Sequence, residues 1–135
     1  MKSRDYRDYL HDILDAINDI ETFVDDMSYE EFIKDRKTLN AVVRSIEIIG
    51  EASKSIPEAM KAKYKDLPWK KMAGMRDKLI HAYFGVDTET LWKAVKDNIP
   101  PLKQTIQKML KEQEKQKSTA TIDKALYKKS QDKWR

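Results

Sequence analysis

The sequence has no cysteine, only three glycines and four prolines among its 135 residues, and no apolar run close to the ~18 residues of a membrane-spanning helix. Without cysteine the chain forms no disulfide, zinc-thiolate site or thiol nucleophile, and a reducing compartment is its natural setting. The first residues are charged and amphipathic and lack the apolar core of a secretion signal. We therefore expect a cytoplasmic protein with no membrane contact.

Charge is unevenly distributed along the chain. Lys and Arg number 27 against 23 Asp and Glu, but eight basic and four acidic residues follow position 110, which leaves 19 of each sign in residues 1–110. Because a broad phosphate-binding face usually makes a whole domain basic, any nucleic-acid chemistry in residues 1–110 must use a local site. We predict a helical domain over residues 1–110 and a basic tail, disordered or partly helical, over residues 111–135.

Apolar residues recur every three or four positions, which indicates helices rather than strands. One apolar stripe covers residues 6–24 and a second covers 39–56, where Pro57 ends or restarts the helix. A short helix follows over residues 57–64. We predict an all-α fold, an up-and-down bundle of four to five helices. The stripes predict that these residues are buried: Ile13, Ile17, Val42, Ile46, Ile49, Leu79, Leu91 and Val95.

Capping residues mark where individual helices begin. Ser28 and Glu31 have the spacing of a capping box, so a new helix starts there. Asp66 is a candidate cap for the next helix, with Pro68 in its first turn. That helix is predicted to carry Trp69, Leu79 and Tyr83 on to Gly85, although Gly74 weakens its middle.

The last predicted helix begins after Asp87, a further candidate cap. It continues to about Leu110, but Pro100 and Pro101 lie inside it. Because proline lacks an amide hydrogen and crowds the preceding turn, we expect a kink or a restart at this point.

The candidate for chemistry is the run from Arg76 to Tyr83, which contains His81. Arg is a permanent cation whose planar fork matches phosphate oxygens, and His exchanges protons near neutral pH. On a regular helix His81 would lie roughly 140° around from Arg76, so a joint site needs long side chains or unwinding near Gly74. Arg76 and Tyr83 are seven residues apart and would share one face.

These residue types are what a metal-free ribonuclease requires: a base for the 2′-hydroxyl, an acid for the leaving 5′-oxygen and a cation for the phosphorane. One chain offers one such histidine, because His11 lies among acids in another predicted helix. Two protomers facing each other would supply two histidines and two arginines, which is a physical reason to expect a homodimer.

Other interpretations of the same residues stay open. Spacing alone favours a surface arginine, a hydrogen-bonded histidine and a boundary tyrosine. Neither histidine has a Glu three residues before it, as a bundle-type carboxylate metal site requires, and no glycine-rich phosphate loop or serine elbow occurs. We therefore expect no metal and no cofactor, and exclude a P-loop enzyme and a serine hydrolase.

Beyond this pattern, several segments in order resemble the HepT-like proteins of the HEPN superfamily, the ribonuclease toxins of HEPN/MNT toxin-antitoxin pairs. The resemblance extends from about Tyr6 to Leu110. It rests on the Arg76, His81 and Tyr83 spacing together with Val43 to Ala52, Leu67 to Trp69, Gly74 to Asp77, Tyr83 to Asp87, and Leu91 with Trp92.

The resemblance implies an all-helical homodimer acting as a metal-independent endoribonuclease, with Arg76 and His81 in a composite cleft and RNA, tRNA among the candidates, as substrate. The family residue after the arginine is polar and often asparagine, and here it is Asp77. As a positioning residue Asp77 can accept a hydrogen bond and orient Arg76, but it adds a negative charge beside the site. Tyr83 matches the tyrosine that the cognate MNT-type nucleotidyltransferase antitoxin modifies with AMP. Such a bulky anion would block the cleft to RNA.

Two alternatives to a nuclease remain at this point. The first is a non-catalytic helical binding module that serves as substrate or adaptor of a partner nucleotidyltransferase, which the balanced charge of residues 1–110 and Asp77 favour. The second is a purely structural bundle, in which substitutions at Arg76 and His81 would change stability alone.

Overall fold

The computed structural model describes the backbone of residues 5–81 and 85–113, and the side chains within these ranges except at 76, 78–81 and 85–86. The predicted all-α bundle is confirmed. In the described residues, four long helical stretches form it, the last of which consists of two α-helices joined by a π-helical segment, and two six-residue helices lie between the others. The helices are α1 (Tyr6–Phe23), α2 (Tyr29–Lys34), α3 (Arg36–Lys54), α4 (Glu58–Lys63), α5 (Trp69–Leu79), α6 (Thr88–Lys93) and α7 (99–113).

Side-chain caps begin several of these helices. Ser28 and Glu31 form the predicted capping box at the start of α2. At α3, Asp35 accepts hydrogen bonds from the amide and the hydroxyl of Thr38, at 3.0 and 2.8 Å, and these bonds lower the pKa of its carboxyl. Asp87 caps α6, as predicted.

The start of α5 differs from the prediction. Pro68, rather than Asp66, occupies the position before the helix, since the carbonyl of Pro68 accepts the amide of Met72 at 2.9 Å. Proline is favourable here because its missing amide hydrogen would have no partner within the helix.

The last helical stretch contains a wide turn where a kink was expected. Between α6 and α7 the segment Ala94–Asn98 is π-helical, and the helix then continues through Pro100 and Pro101. Neither proline can donate to the carbonyl four residues before it, and a wider turn takes up that mismatch. α7 runs without a break to 113, past the boundary predicted at 110. The division into domain and tail otherwise stays a prediction.

Two polar contacts orient α7 against α1. The Tyr6 hydroxyl donates to the side-chain carbonyl of Gln113, and Lys103 pairs with Glu21 at 2.8 Å. The beginning of α1 thus contacts the end of α7, and the end of α1 contacts the beginning of α7. The two helices are therefore antiparallel.

The core lies where the long helices meet. Seven of the residues predicted as buried are at most 5% exposed, and the side chain of the eighth, Leu79, lies outside the description. The confirmed residues are Ile13, Ile17, Val42, Ile46, Ile49, Leu91 and Val95. Phe32 extends this core to α2 by packing on Trp92 of α6, with ring centroids 4.9 Å apart. Among the described residues, no helix combines the length and apolar character that crossing a membrane requires.

Candidate functional site

The backbone of α5 is held closely against α3. A Cβ added at Gly50 of α3 would stand 3.3 Å from the carbonyl oxygen of Met72 and 3.4 Å from that of Ala73. Such separations are tighter than ordinary van der Waals contact, so the glycine permits the close approach of the two helices. This contact fixes the middle of α5, one turn before Arg76.

α5 ends earlier than the sequence predicted. It stops at Leu79, and Ile80–His81 then pairs antiparallel with Gly85–Val86, with Ile80 opposite Val86 and His81 opposite Gly85. β-Branched Ile80 and Val86 are suited to this extended pairing, which competes with a continued helix. The predicted helix through Tyr83 to Gly85 is therefore wrong.

This early end changes the geometry of the candidate motif. The angle of 140° between Arg76 and His81 does not apply, because Arg76 is in α5 and His81 is in the strand after it. The predicted common face of Arg76 and Tyr83 lies outside the described residues, because Tyr83 does. The chain leaves the helix at Ile80, and not at Gly74, which lies inside a continuous helix.

The structure describes the four candidate residues to different extents. Asp77 is exposed on α5. Arg76 and His81 are placed by their backbones, at the end of α5 and directly after it, whereas Tyr83 lies outside the described residues. His11 is exposed on α1, in another part of the bundle, as predicted. The assignment of Arg76, Asp77, His81 and Tyr83 to a site stays a prediction.

A basic groove that the sequence analysis missed lies beside α5. We use "basic groove" for the open cavity of about 610 Å³ between the end of α3, α4 and the start of α5. Four of its eight lining residues are lysines: Lys54, Lys61, Lys65 and Lys70. The sequence does indicate this groove, since residues 54–71 contain six lysines and two acids, whereas residues 1–110 as a whole contain equal numbers of basic and acidic residues.

Tyr64 joins the elements around this groove. Its hydroxyl donates to the Glu112 carboxylate on α7, and its carbonyl accepts the indole Nε1–H of Trp69 at 3.0 Å. Burial, followed by the hydrogen bond and charge of Glu112, raises the pKa of Tyr64 to about 12. Tyr64 therefore stays neutral at physiological pH and connects α4, α5 and α7 as a hydrogen-bond donor and acceptor.

The described parts of the chain contain no group of three or more His, Cys, Asp or Glu side chains that could hold a metal ion. The chemistry available near the end of α5 is that of a guanidinium, an imidazole and a carboxylate.

The all-α bundle has a HEPN-like fold. The chain belongs to the family described as "Ribonuclease HepT-like", whose model matches residues 13–109.

Similar proteins occur in archaea and bacteria. The chain is 54% identical over 108 residues to "Probable ribonuclease HepT" of Thermococcus cleftensis, covering 80% of this chain and 98% of that protein. It is 48% identical to "Putative RNase MJ0125" of Methanocaldococcus jannaschii, over 84% of this chain and 98% of the relative. It is 42% identical to "Putative RNase TTE0752" of Caldanaerobacter subterraneus, over 79% and 96% of the two chains. No solved structure matches the chain significantly.

Proposed function

We propose that this protein is a metal-independent endoribonuclease, the toxin of a HEPN/MNT toxin-antitoxin pair, with Arg76 and His81 as its catalytic residues. The observation that carries the proposal is the 54% identity to a protein named as a probable ribonuclease HepT, which extends over 98% of that relative. The end of α5 at Leu79 also supports the proposal. Because His81 is not part of the helix, it does not have the separation of about 140° from Arg76 that a continued helix would impose.

The reaction follows from the two residue types. His81 of one protomer accepts the proton of the ribose 2′-hydroxyl as its oxygen attacks the adjacent phosphorus. The partner's His81 donates a proton to the 5′-oxygen as the phosphorus–oxygen bond breaks. Arg76 stabilises the negative charge of the phosphorane. The products are a 2′,3′-cyclic phosphate and a 5′-hydroxyl, and no metal takes part.

A homodimer is part of this proposal, because one chain supplies one histidine near the motif and the reaction needs an acid and a base. We also propose regulation at Tyr83, whose modification with AMP by a partner nucleotidyltransferase would place a phosphate where the RNA phosphate has to bind. The attached anion would exclude RNA by its size and its charge.

A non-catalytic binding module is the second candidate, and the exposed Asp77 favours it. A carboxylate next to Arg76 opposes the approach of a phosphate, so a chain that only serves a nucleotidyltransferase as substrate would tolerate it better than an efficient nuclease.

The deciding experiment is RNA cleavage with EDTA present, on total tRNA and on a structured messenger RNA, with analysis of the product ends. The chain supplies matched controls: His11→Ala removes an exposed histidine from α1, and Arg44→Ala removes an arginine whose side chain is 70% exposed. We expect His81→Ala and Arg76→Ala to abolish cleavage, while both controls cut like the wild type and leave cyclic phosphate ends.

Wild-type protein that is folded and leaves both RNAs intact would refute the nuclease. The binding module would then be tested by incubation with the partner nucleotidyltransferase and ATP, with Tyr83→Phe as the unmodifiable control. If His81→Ala and Arg76→Ala alter only the unfolding temperature, the chain is a structural bundle.

A further inference from the structure

The basic groove concentrates positive charge, although residues 1–110 as a whole contain equal numbers of basic and acidic residues. Residues 54–71 contain six lysines and two acids, whereas residues 5–34, which include α1 and α2, contain ten acids and two basic residues. A polyanion near this protein is therefore repelled by one part of the bundle and attracted to another.

Three of the four groove lysines are available to an external anion, and the side chain of the fourth, Lys61, is 18% exposed. Lys54, Lys65 and Lys70 are exposed. Lys61 pairs with Glu58 at 3.6 Å, but the Glu58 side chain is 93% exposed, so this pair contributes little stability and a phosphate can replace the carboxylate. Lys54 has a similar exposed partner in Glu51 at 3.3 Å.

The wall of the groove is preorganised. Trp69 is 9% exposed, and its indole Nε1–H is already hydrogen-bonded to the Tyr64 carbonyl. The ring is therefore a fixed apolar part of the groove wall. The lysines carry the binding chemistry, and that chemistry is specific for negative charge.

The groove leads toward the proposed catalytic residues. Lys70 and Ala73 line it, and position 76 follows Ala73 by one helical turn on the same side of α5. From 70 to 76 the rise along the helix is about 9 Å. A strand lying in the groove would thus continue along α5 to Arg76.

The basic tail is an unsuitable occupant of the groove. The described part of α7 ends at Gln113, whose side-chain amide nitrogen lies 3.9 Å from the sulfur of Met60 in α4. Residues 114–135 contain seven basic and three acidic residues. Like charge disfavours its binding between the lysines.

We infer that the basic groove holds the phosphate backbone of the RNA strand next to the bond that is cut, with Lys61, Lys65 and Lys70 as the main contacts. This inference rests on the proposed ribonuclease function. It assigns RNA binding to a surface outside the Arg76 to Tyr83 motif, so the two claims can fail separately.

The test compares three triple variants of the full chain in a His81→Ala background, which keeps the RNA intact during binding. The groove variant replaces Lys61, Lys65 and Lys70 with Gln, and the rescue variant replaces the same residues with Arg. The control variant replaces the exposed lysines Lys34, Lys37 and Lys108, which do not line the groove, with Gln. Binding to total tRNA and to an oligouridine is measured over a salt series, and circular dichroism checks folding.

We expect the groove variant to lose roughly tenfold or more in affinity and the slope of log K against log salt to fall by about 2, because each phosphate contact on a single strand contributes about 0.7. The control and rescue variants keep the wild-type slope. With His81 restored, the groove variant raises KM more than it lowers kcat, since it removes binding and no reacting group.

Equal affinity and equal slope for the groove and control variants would overturn the inference. The inference would also be overturned if the groove variant bound RNA like the wild type but lost binding to phosphatidylserine vesicles. That result would assign the groove to a membrane surface. If the wild type binds RNA through the groove but cuts none, RNA binding at the groove stands, while the nuclease proposal and the position of the groove next to a cut bond both fail. If the wild type cuts RNA and the groove variant behaves like the control, the nuclease proposal stands and the inference about the groove fails.

Discussion

Gly50 of α3 lies directly against Met72 of α5, with the position of an added Cβ 3.3 Å from the Met72 carbonyl oxygen. The oxygen belongs to a helix backbone, which cannot turn aside as the end of a flexible side chain can. The separation between α3 and α5, and therefore the position of the motif at the end of α5, depends on the absence of a side chain at residue 50.

A pair of glycine substitutions tests this contact. Gly50→Ala should lower the free energy of unfolding by ~1 kcal/mol, because the strain of overpacking exceeds the gain in helix propensity. Gly74→Ala should raise it by about 0.5–1 kcal/mol, since a Cβ there meets no atom within 4 Å. Urea unfolding of both variants measures the difference. Equal effects of the two substitutions would contradict the close approach.

The hydrogen bond between Tyr64 and Glu112 predicts a loss of stability at high pH. Because the pKa of Tyr64 rises from 10.0 to about 12 on folding, its contribution is fully present below pH 10 and is lost as the pH rises from about 10 to about 12. The difference in unfolding free energy between the wild type and Tyr64→Phe should therefore shrink across this range.

Glu112→Gln is the matched control for that experiment. Glutamine still accepts a hydrogen bond from the Tyr64 hydroxyl but removes the negative charge, one of the causes of the raised pKa. In Glu112→Gln the pKa of Tyr64 should lie closer to 10, so the contribution of Tyr64 to stability should be lost over a narrower pH range above 10. The range should not disappear, because burial is the largest cause of the raised pKa. A difference between wild type and Tyr64→Phe that stays constant from pH 8 to 12 would show that Tyr64 does not titrate as inferred.

Core packing is tested by two isoleucines of contrasting exposure. Ile49 on α3 is fully buried, whereas Ile33 on α2 is 43% exposed. Ile49→Ala should cost ~2–5 kcal/mol of unfolding free energy because the rigid core closes only partly around the cavity. Ile33→Ala should stay within about 0.5 kcal/mol of the wild type. Denaturant unfolding measures both losses of free energy. Similar losses at the two positions would contradict the orientation of α2 and α3, in which Ile49 faces the core and Ile33 faces solvent.

Periodicity and capping chemistry are local properties, and this is why the fold could be predicted further than the site. The stripe that contains Ile13 and Ile17 and the capping box at Ser28 depend on residues within one or two turns. The end of α5 at Leu79 depends instead on pairing between Ile80 and Val86, which no helical pattern shows. Likewise, the sequence around Gly50 shows only a residue of low helix propensity, because its contact with Met72 depends on how α3 and α5 pack.

The basic groove was missed for a related reason. Its lysines come from α3, α4, the following loop and α5, so their convergence is a property of packing. The sequence offered one usable signal, the excess of lysine over residues 54–71, but a count over all of residues 1–110 averages it to zero. Charge counted in windows of one or two helices would have found it.

Asp77 gives a final prediction about the strength of the proposed nuclease. A carboxylate beside Arg76 opposes the binding of a phosphate, and two unit charges about 4 Å apart in bulk water interact by about 1 kcal/mol. Asp77→Asn should therefore raise kcat/KM for RNA cleavage about fivefold, the rate equivalent of that energy. Asp77→Glu, which keeps the charge, is the control and should not gain. A decrease in Asp77→Asn would instead mean that the carboxylate positions Arg76 or His81, and that the negative charge is part of the working site.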